Sequence, residues 1–279
     1  MCGRLPVQSR PVAKLLYERR DRIAYLTLNR PEAKNAVDPE LHRLLWEAWE
    51  DFAADDALDV AILTGTGDAF SAGADLKAYI PPIIKEATPR WVRDNVATGL
   101  GGLTRGLHRI PKPTIAAVNG WALAGGLETA LACDIRIASE RAMFGSFEAR
   151  RGYHHGDGGI VRLVNVCGAG VALEMLLTAE PIDAERALRC NLVSRVVAHD
   201  ELLDETERVA RQILRNSQIA VRSAKETILD VIGRPLDDQL RIEALNGYAS
   251  ADPKETMGLL QRFYDKTDSG RAGSHATSL

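Results

Sequence analysis

Apolar and polar positions follow two different periods along this chain, and each period predicts its own kind of element. Residues 14–18 and 23–28 read as strands on either side of Arg19-Arg20-Asp21-Arg22, which predicts a hairpin. Asp38-Pro39-Glu40 supplies an N-cap, a first-turn proline and an acidic first turn. Leu41, Leu44, Leu45, Ala48 and Phe52 then share one side of a helix that runs to about residue 54. Residues 60–64 are apolar without interruption, the pattern of a strand covered on both faces. A glycine-rich loop over 65–73 follows, then one helical turn over 75–79, broken by Pro81-Pro82. Residues 90–109 read as helix despite Gly99, Gly101, Gly102 and Gly106. A strand over 114–118, a helix over 125–132 and a strand over 135–138 complete an alternation of strand and helix. That alternation predicts an α/β fold built from βαβ units.

Beyond Gly168 the pattern becomes helical. Residues 169–178, 183–189, 201–215, 220–232, 235–249 and 253–264 read as helices, and only 194–197 reads as strand. The expected organisation is an α/β core over 12–198, a helical C-terminal region over 199–266, and flexible termini at 1–11 and 267–279. No internal repeat is visible in the sequence.

Composition narrows the function classes. The chain has 279 residues, 46% of them hydrophobic, and a formal net charge of −3. Near-balanced charge favours neither nucleic acid nor an anionic membrane as a partner. No apolar run reads as long enough to span a bilayer, and residues 1–11 lack the apolar stretch of a secretion signal. Cys2, Cys133, Cys167 and Cys190 are far apart, which predicts no disulfide framework, no zinc site and a reducing, cytoplasmic setting.

The chemistry concentrates in two glycine turns. An apolar strand runs into Asn119-Gly120, then Ala124-Gly125-Gly126 opens a helix with Glu128 in its first turn. Bare backbone N–H groups at the positive end of a helix dipole suit a developing oxyanion, and a carboxylate beside them suits proton transfer. The plainer alternative is that Glu128 merely complements the helix dipole. A sister turn at Ser71-Ala72-Gly73 also follows a strand, and two such turns facing one another would each give one N–H to a single oxygen. Glu148 is a second carboxylate, in an irregular, partly apolar stretch. Gly152-Tyr-His-His-Gly-Asp-Gly-Gly159 lacks the Lys-Ser/Thr of a phosphate loop. His154, His155 and Asp157 read better as solvated loop residues or as supports for the site than as metal ligands. Trp46, Trp49, Trp91 and Trp121 read as packing residues, and Cys133 as buried filler.

These pieces, taken in order, resemble the crotonase superfamily of enoyl-CoA hydratases and isomerases. The matching words are Leu28 to Ala36, Leu63 through Leu76, Lys112 to Gly120, Ala124 to Ala138 and Phe144 to Gly159. The resemblance implies a spiral core of ββα repeats, a helical C-terminal trimerisation region, and a homotrimer or dimer of trimers. It implies hydration of a 2-enoyl-CoA, with Glu128 and Glu148 as acid and base and the backbone N–H groups of Ala72 and Gly125 as the oxyanion hole. Gly156 and Asp157 would stand near the catalytic water. Coenzyme A, part of the substrate rather than a cofactor, would be lined by Ala33, Lys34, Ala36, Ala72, Ala74, Asp75 and Leu76. Phe263 and Lys266 would reach its nucleotide. Ala124, Phe147, His154, His155 and Asp157 depart from the family's usual residues. Asp157 would add a third carboxylate, as in members that dehydrate a polar acyl-CoA such as carnitinyl-CoA. An isomerase that shifts the double bond, or an RNA-binding member of the fold, are the other readings.

Overall fold

Asp21 and Arg22 take left-handed backbone angles (φ 49° and 67°) and close a tight hairpin between β1 (Leu15–Arg20) and β2 (Ile23–Leu28). Two consecutive positive φ values give the turn whose twist matches that of paired strands. The computed structural model that shows this describes residues 13–80, 85 and 88–275; the side chains of Trp91, Asn95 and residues 266–275 lie outside the described set.

From β2 the sheet continues in parallel through β3 (Val60–Gly65), β5 (Thr114–Val118), β7 (Ile135–Ser139) and β10 (Arg195–Val197), giving the order β1-β2-β3-β5-β7-β10. A second sheet of four short strands has the order β4-β6-β8-β9: β4 (Ala69–Ser71), β6 (Trp121–Leu123), β8 (Met143–Gly145) and β9 (Ile182–Asp183). Each repeat of the core thus places one strand in the large sheet, the next in the small sheet, and then a helix. The helices that close the repeats are α2 (Pro89–Thr98), α3 (Gly125–Ala132) and α4 (Gly159–Thr178). The short strands lie in stretches that read as loop or helix start, because two or three residues carry no measurable period.

The first helix, α1 (Pro39–Ala54), is capped as expected: the Asp38 side chain accepts the N–H of Leu41 at 2.8 Å. Its buried face carries Leu41, Leu45, Ala48, Trp49 and Phe52, with the Trp49 and Phe52 rings edge-on at 6.2 Å. Each large side chain fully withdrawn from water contributes about 1.5–3 kcal/mol. The far end of α1 is closed by Lys112, buried, whose Nζ donates to the carbonyls of Phe52 (2.8 Å) and Asp55 (2.7 Å).

Three helical expectations change. The run over 90–109 is helical only to Thr98; Gly99, Gly101 and Gly102 then take positive φ and the chain continues as turns. α4 begins at Gly159 rather than 169, with Gly168 (φ 77°, ψ 161°) as a break inside it. An 18-residue stretch of it has a mean hydropathy of 1.8, so by length and composition alone one apolar helix reaches spanning length, contrary to the sequence reading, although Gly168 divides it. Val161, Val164, Leu173 and Leu177 on α4 are exposed. α5 (Ala184–Arg189) and α6 (Leu202–Leu214) follow.

The chain divides into two compact units after Arg211, later than the change of character at 198/199, because Leu202, Thr206, Val209 and Ala210 of α6 are buried. The second unit holds α7 (Gln218–Val231), α8 (Leu236–Ala249) and α9 (Pro253–His275). Within it, Asn246 on α8 donates to the Thr227 hydroxyl of α7 at 2.9 Å, and Ser217 donates to Glu255 at 2.7 Å. The α9 backbone stays helical to His275, well into the stretch expected to be a flexible tail.

Candidate active site

Two buried asparagines and a serine shape the first glycine turn. Asn35 donates to the carbonyls of Thr66 and Ala69, and Asn119 to those of Gly67 and Ala69. The Ser71 hydroxyl donates to the Asn35 carbonyl and accepts the Gly73 N–H. One backbone edge is then occupied: Ala72 N–H donates to Lys34 O at 2.9 Å, Val37 N–H to Gly73 O at 2.8 Å, and Asp75 N–H to Val37 O at 2.9 Å. Among the described residues, the Ala74 N–H has no protein acceptor. Neither has the N–H of Gly125, the first residue of α3, whose neighbour Ala124 donates to Gly145 O. The two turns touch: a Cβ built on Gly73 would stand 2.6 Å from Gly125 N, and one on Gly125 would stand 3.3 Å from Ala74 N.

This pairing of turns is the one expected, but the donor on the first turn is different. Ala72 is engaged with Lys34, so Ala74 and Gly125, not Ala72 and Gly125, offer the open pair. Gly73, at φ 86°, turns the backbone between the two residues, so which of their N–H groups is engaged by residues 34–37 is not legible in the sequence.

Glu128 and Glu148 meet beside this pair. Glu128 rises from the first turn of α3, and its Oε1 accepts the N–H groups of Asp157 (2.7 Å) and Gly159 (2.9 Å). Glu148 stands at the head of a short 3-10 turn over Ala149–Arg151. Between them lies His155, whose Nδ1 is 2.8 Å from Glu148 Oε1 and 3.3 Å from Glu128 Oε1. Neither contact has the alignment of a hydrogen bond, so charge attraction links the three groups. Nε2 of the same ring meets the Ser146 hydroxyl at 2.7 Å, and that hydroxyl lies 3.4 Å from Glu148 Oε2. All three residues are buried, with exposures of 3%, 3% and 4% for Glu128, Glu148 and His155. Burial alone would push the imidazole pKa down, but the pull of Glu128 and Glu148 overcomes it and carries the value up to about 9. Gly159 makes room: a Cβ there would stand 2.6 Å from the His155 ring. Three side chains with ligating atoms within 4.8 Å of one another also form the donor set of a small metal centre.

His154 and His155, expected alike to be solvated loop residues or supports for the site, divide between the two: His155 is buried between the acids, while His154 is exposed with its Nδ1 against the His155 carbonyl. Asp157 lines the same cavity as the two glutamates, with its carboxylate engaged by neighbouring turns. Its Oδ1 accepts the Leu100 N–H (2.8 Å) and the Thr104 hydroxyl (3.3 Å) and pairs with Arg105 (3.2 Å), tying the turns at 99–106 to the head of α4. Burial, then the nearby Glu128 charge, raises its pKa.

A cavity of about 610 Å³ opens onto the two turns and the acids. Ala33, Ala36, Ala72, Ala74, Asp75, Leu76 and Gly156 line it, together with Phe147, Arg151 and Tyr153. Lys34 does not; its Nζ pairs with Asp68 at 2.7 Å. The Asp75 carboxylate faces Arg30 at 3.2 Å and accepts the N–H groups of Lys77 and Ala78. Phe263 lies exposed on α9 in the second unit, against the Tyr264 ring, and the side chain of Lys266 lies outside the described residues.

The comparisons agree with this geometry. Residues 18–270 match the family model described as enoyl-CoA hydratase/isomerase. The crotonyl-CoA hydratase of Syntrophomonas wolfei is 37% identical over 87% of this chain and 93% of its own length. The (E)-benzylidenesuccinyl-CoA hydratase of Thauera aromatica is 40% identical over 77% and 80%. Among solved structures, the enoyl-CoA hydratase of Bacillus anthracis superposes with a TM-score of 0.80 at 32% identity, covering 91% of this chain and 97% of its own. Touching glycine turns, paired buried glutamates and a match over nearly the whole sequence place this chain in the enoyl-CoA hydratase/isomerase family.

Proposed function

We propose that the protein is an enoyl-CoA hydratase that adds water reversibly across the double bond of a 2-enoyl-CoA. The observation that carries this reading is the pair of buried carboxylates, Glu128 and Glu148, beside two open backbone N–H groups at the foot of one cavity. Attack of water at the β-carbon drives negative charge onto the thioester oxygen. The N–H groups of Ala74 and Gly125 bind that enolate oxygen more strongly than the ground-state carbonyl, and each such donor is worth about 3–4 kcal/mol of barrier. Glu128, held still by two backbone donors, takes the proton of the attacking water. Glu148 delivers the proton to the α-carbon. An isomerase would need one carboxylate; two acids in one centre favour hydration.

Arg105, Arg151 and Tyr153 in the lining suit an acyl group with a polar end. The proposed assembly is a homotrimer or a dimer of trimers, for which the exposed apolar residues Leu236, Leu240, Leu245 and Tyr248 of α8 provide contact area. Light scattering after gel filtration reads the mass; a monomer at micromolar concentration removes that part.

The decisive assay follows loss of the conjugated thioester absorbance of crotonyl-CoA and of a carboxylated enoyl-CoA in ¹⁸O-labelled water. Label in the product means hydration; a shifted double bond without label means isomerisation and overturns the reading. Glu128→Gln and Glu148→Gln are each expected to lower kcat by at least about 10²-fold.

A further inference from the structure

We propose that Arg151 and Tyr153 form a specificity site that holds a carboxylate at the far end of the acyl chain, so that the substrate class is a 2-enoyl-CoA with a terminal carboxylate. The inference deepens the hydratase reading and rests on it for the reaction, but the site stands on local geometry. Glu148 heads the 3-10 turn over Ala149–Arg151, and its carbonyl accepts the Arg151 N–H at 2.8 Å and the Tyr153 N–H at 3.4 Å. Gly152 between them takes φ 83°, the left-handed angle that bends the chain back at this point. Arg151 and Tyr153 are thereby tied to one of the two acids, and both line its cavity.

Both groups keep donors open. A guanidinium carries five N–H donors; among the described residues that of Arg151 gives one to Phe147 O at 3.1 Å and meets no carboxylate at ion-pair distance. The neighbouring cations differ. Arg150 pairs with Glu180 at 2.7 Å, and Arg105 pairs with Asp157 at 3.2 Å. The Tyr153 hydroxyl makes no protein hydrogen bond among the described residues. Burial, then the Glu148 charge, raises the phenol pKa, while the Arg151 charge opposes them, so the hydroxyl stands in the field of both. Phe147 supplies the wall between the acids and this pair. Its ring packs so close to Gly145 that a Cβ there would stand 2.8 Å from it, and the Arg150 guanidinium lies over it at 4.6 Å. The ring is held flat, as an apolar surface for the carbons of an acyl chain.

Charge decides what this wall can hold. Glu128, Glu148 and Asp157 line the same cavity, so a substrate anion anywhere near them is repelled unless a cation meets it. Arg151 is that cation, and its planar fork fits the two oxygens of a carboxylate, with the Tyr153 hydroxyl as a further donor. With the thioester oxygen on the Ala74 and Gly125 N–H groups and the reacting carbons under the acids, the rest of the acyl chain runs over Phe147 to the segment that follows Glu148. A phosphate of coenzyme A has the same oxyanion chemistry. The tie to Glu148 favours the acyl carboxylate, because that acid works on the acyl α-carbon. A terminal carboxylate keeps its charge throughout the reaction, so the contact is equally strong in ground and transition states and acts on KM more than on kcat.

The test begins with binding, which needs no turnover. Wild-type protein is titrated calorimetrically with succinyl-, glutaryl- and adipyl-CoA and with the uncharged butyryl-, pentanoyl- and hexanoyl-CoA of equal length. At the length that fits, the carboxylated ligand is expected to bind at least about tenfold more tightly, the worth of one charge-assisted contact. No preference at any of the three lengths overturns the proposal, whether or not a variant folds. Arg151→Gln is expected to erase the preference, Arg151→Lys to keep part of it, and Tyr153→Phe to lower it about threefold. Equal weakening of carboxylated and uncharged ligands by Arg151→Gln means that the guanidinium holds coenzyme A itself, and overturns the proposal too. In kinetics, the ratio of kcat/KM for glutaconyl-CoA to that for pent-2-enoyl-CoA is expected to fall about tenfold or more in Arg151→Gln, mostly through KM; an unchanged ratio counts against the site. A binding preference without turnover of any enoyl-CoA sinks the hydration reading and keeps the carboxylate site, whereas turnover without preference does the reverse, so the two failures separate.

Discussion

Gly126→Ala puts one methyl group where the two glycine turns meet. The ideal Cβ would lie 2.0 Å from the Ser71 carbonyl oxygen, 2.7 Å from its carbon and 3.0 Å from Ser71 Cβ. No side chain can swing aside, because two of these atoms are backbone. Ser71 is held by the Asn35 carbonyl and by Gly73, so the turn that carries Ala74 must move as a piece. Restoring ordinary contact at about 3.4 Å requires a displacement of about 1.4 Å between that turn and the head of α3, and an error of even about 1 Å in a catalytic array can cost about 10²-fold in rate. The overpacking itself costs about 1–3 kcal/mol, or roughly 2–12 °C in Tm for a chain of this size. The loss is expected in kcat more than in KM, because the displaced donors act on the oxyanion. Gly170→Ala on α4, where a Cβ meets nothing within 4 Å, is the control and is expected to be neutral or slightly stabilising. Crotonyl-CoA kinetics and a thermal melt check both. A Gly126→Ala protein with wild-type kcat and Tm would refute the contact between the turns and the oxyanion site built on it.

Other expectations follow from single groups. Ala124 sits at φ 52° and ψ −125°, so Ala124→Gly should relieve strain and gain about 1 kcal/mol; a lower Tm contradicts this. Asp157→Asn should loosen the turns at 99–106 and cost about 1–3 kcal/mol, seen as faster amide exchange there; unchanged exchange counts against the tether. Its raised pKa also means a stability term present below the unfolded value and lost as pH rises through the folded one, which the asparagine variant should lack. The His155 pKa, raised to about 9, contributes stability that is complete below the unfolded value of 6.5 and lost as pH climbs through 9. The term is of order 3 kcal/mol, so urea unfolding at pH 6 and 10 should show a fall in wild type that His155→Gln lacks; parallel curves sink it. Lys112→Met removes two charge-assisted bonds at the end of α1 and should cost about 3 kcal/mol, measured as the urea midpoint.

Much of this protein was determined by local pattern. The Asp38-Pro39 cap, the apolar face of α1, the buried strands and the helix that presents Glu128 follow from period, capping and glycine placement, which act over a few residues and can be read in one dimension. The order of the matching words carried the family and with it the pairing of Glu128 with Glu148. Tertiary structure decided the rest. Which N–H stays open on the first turn depends on Lys34 occupying that of Ala72. Asp157 turns to Leu100 and Thr104 because a loop far along the chain offers donors. His155 becomes part of the acid centre, and His154 does not, only because Glu128 and Glu148 arrive on either side of one of them. Charge and hydrogen bonding between residues distant in sequence have no period, so those assignments exist only once the chain has folded.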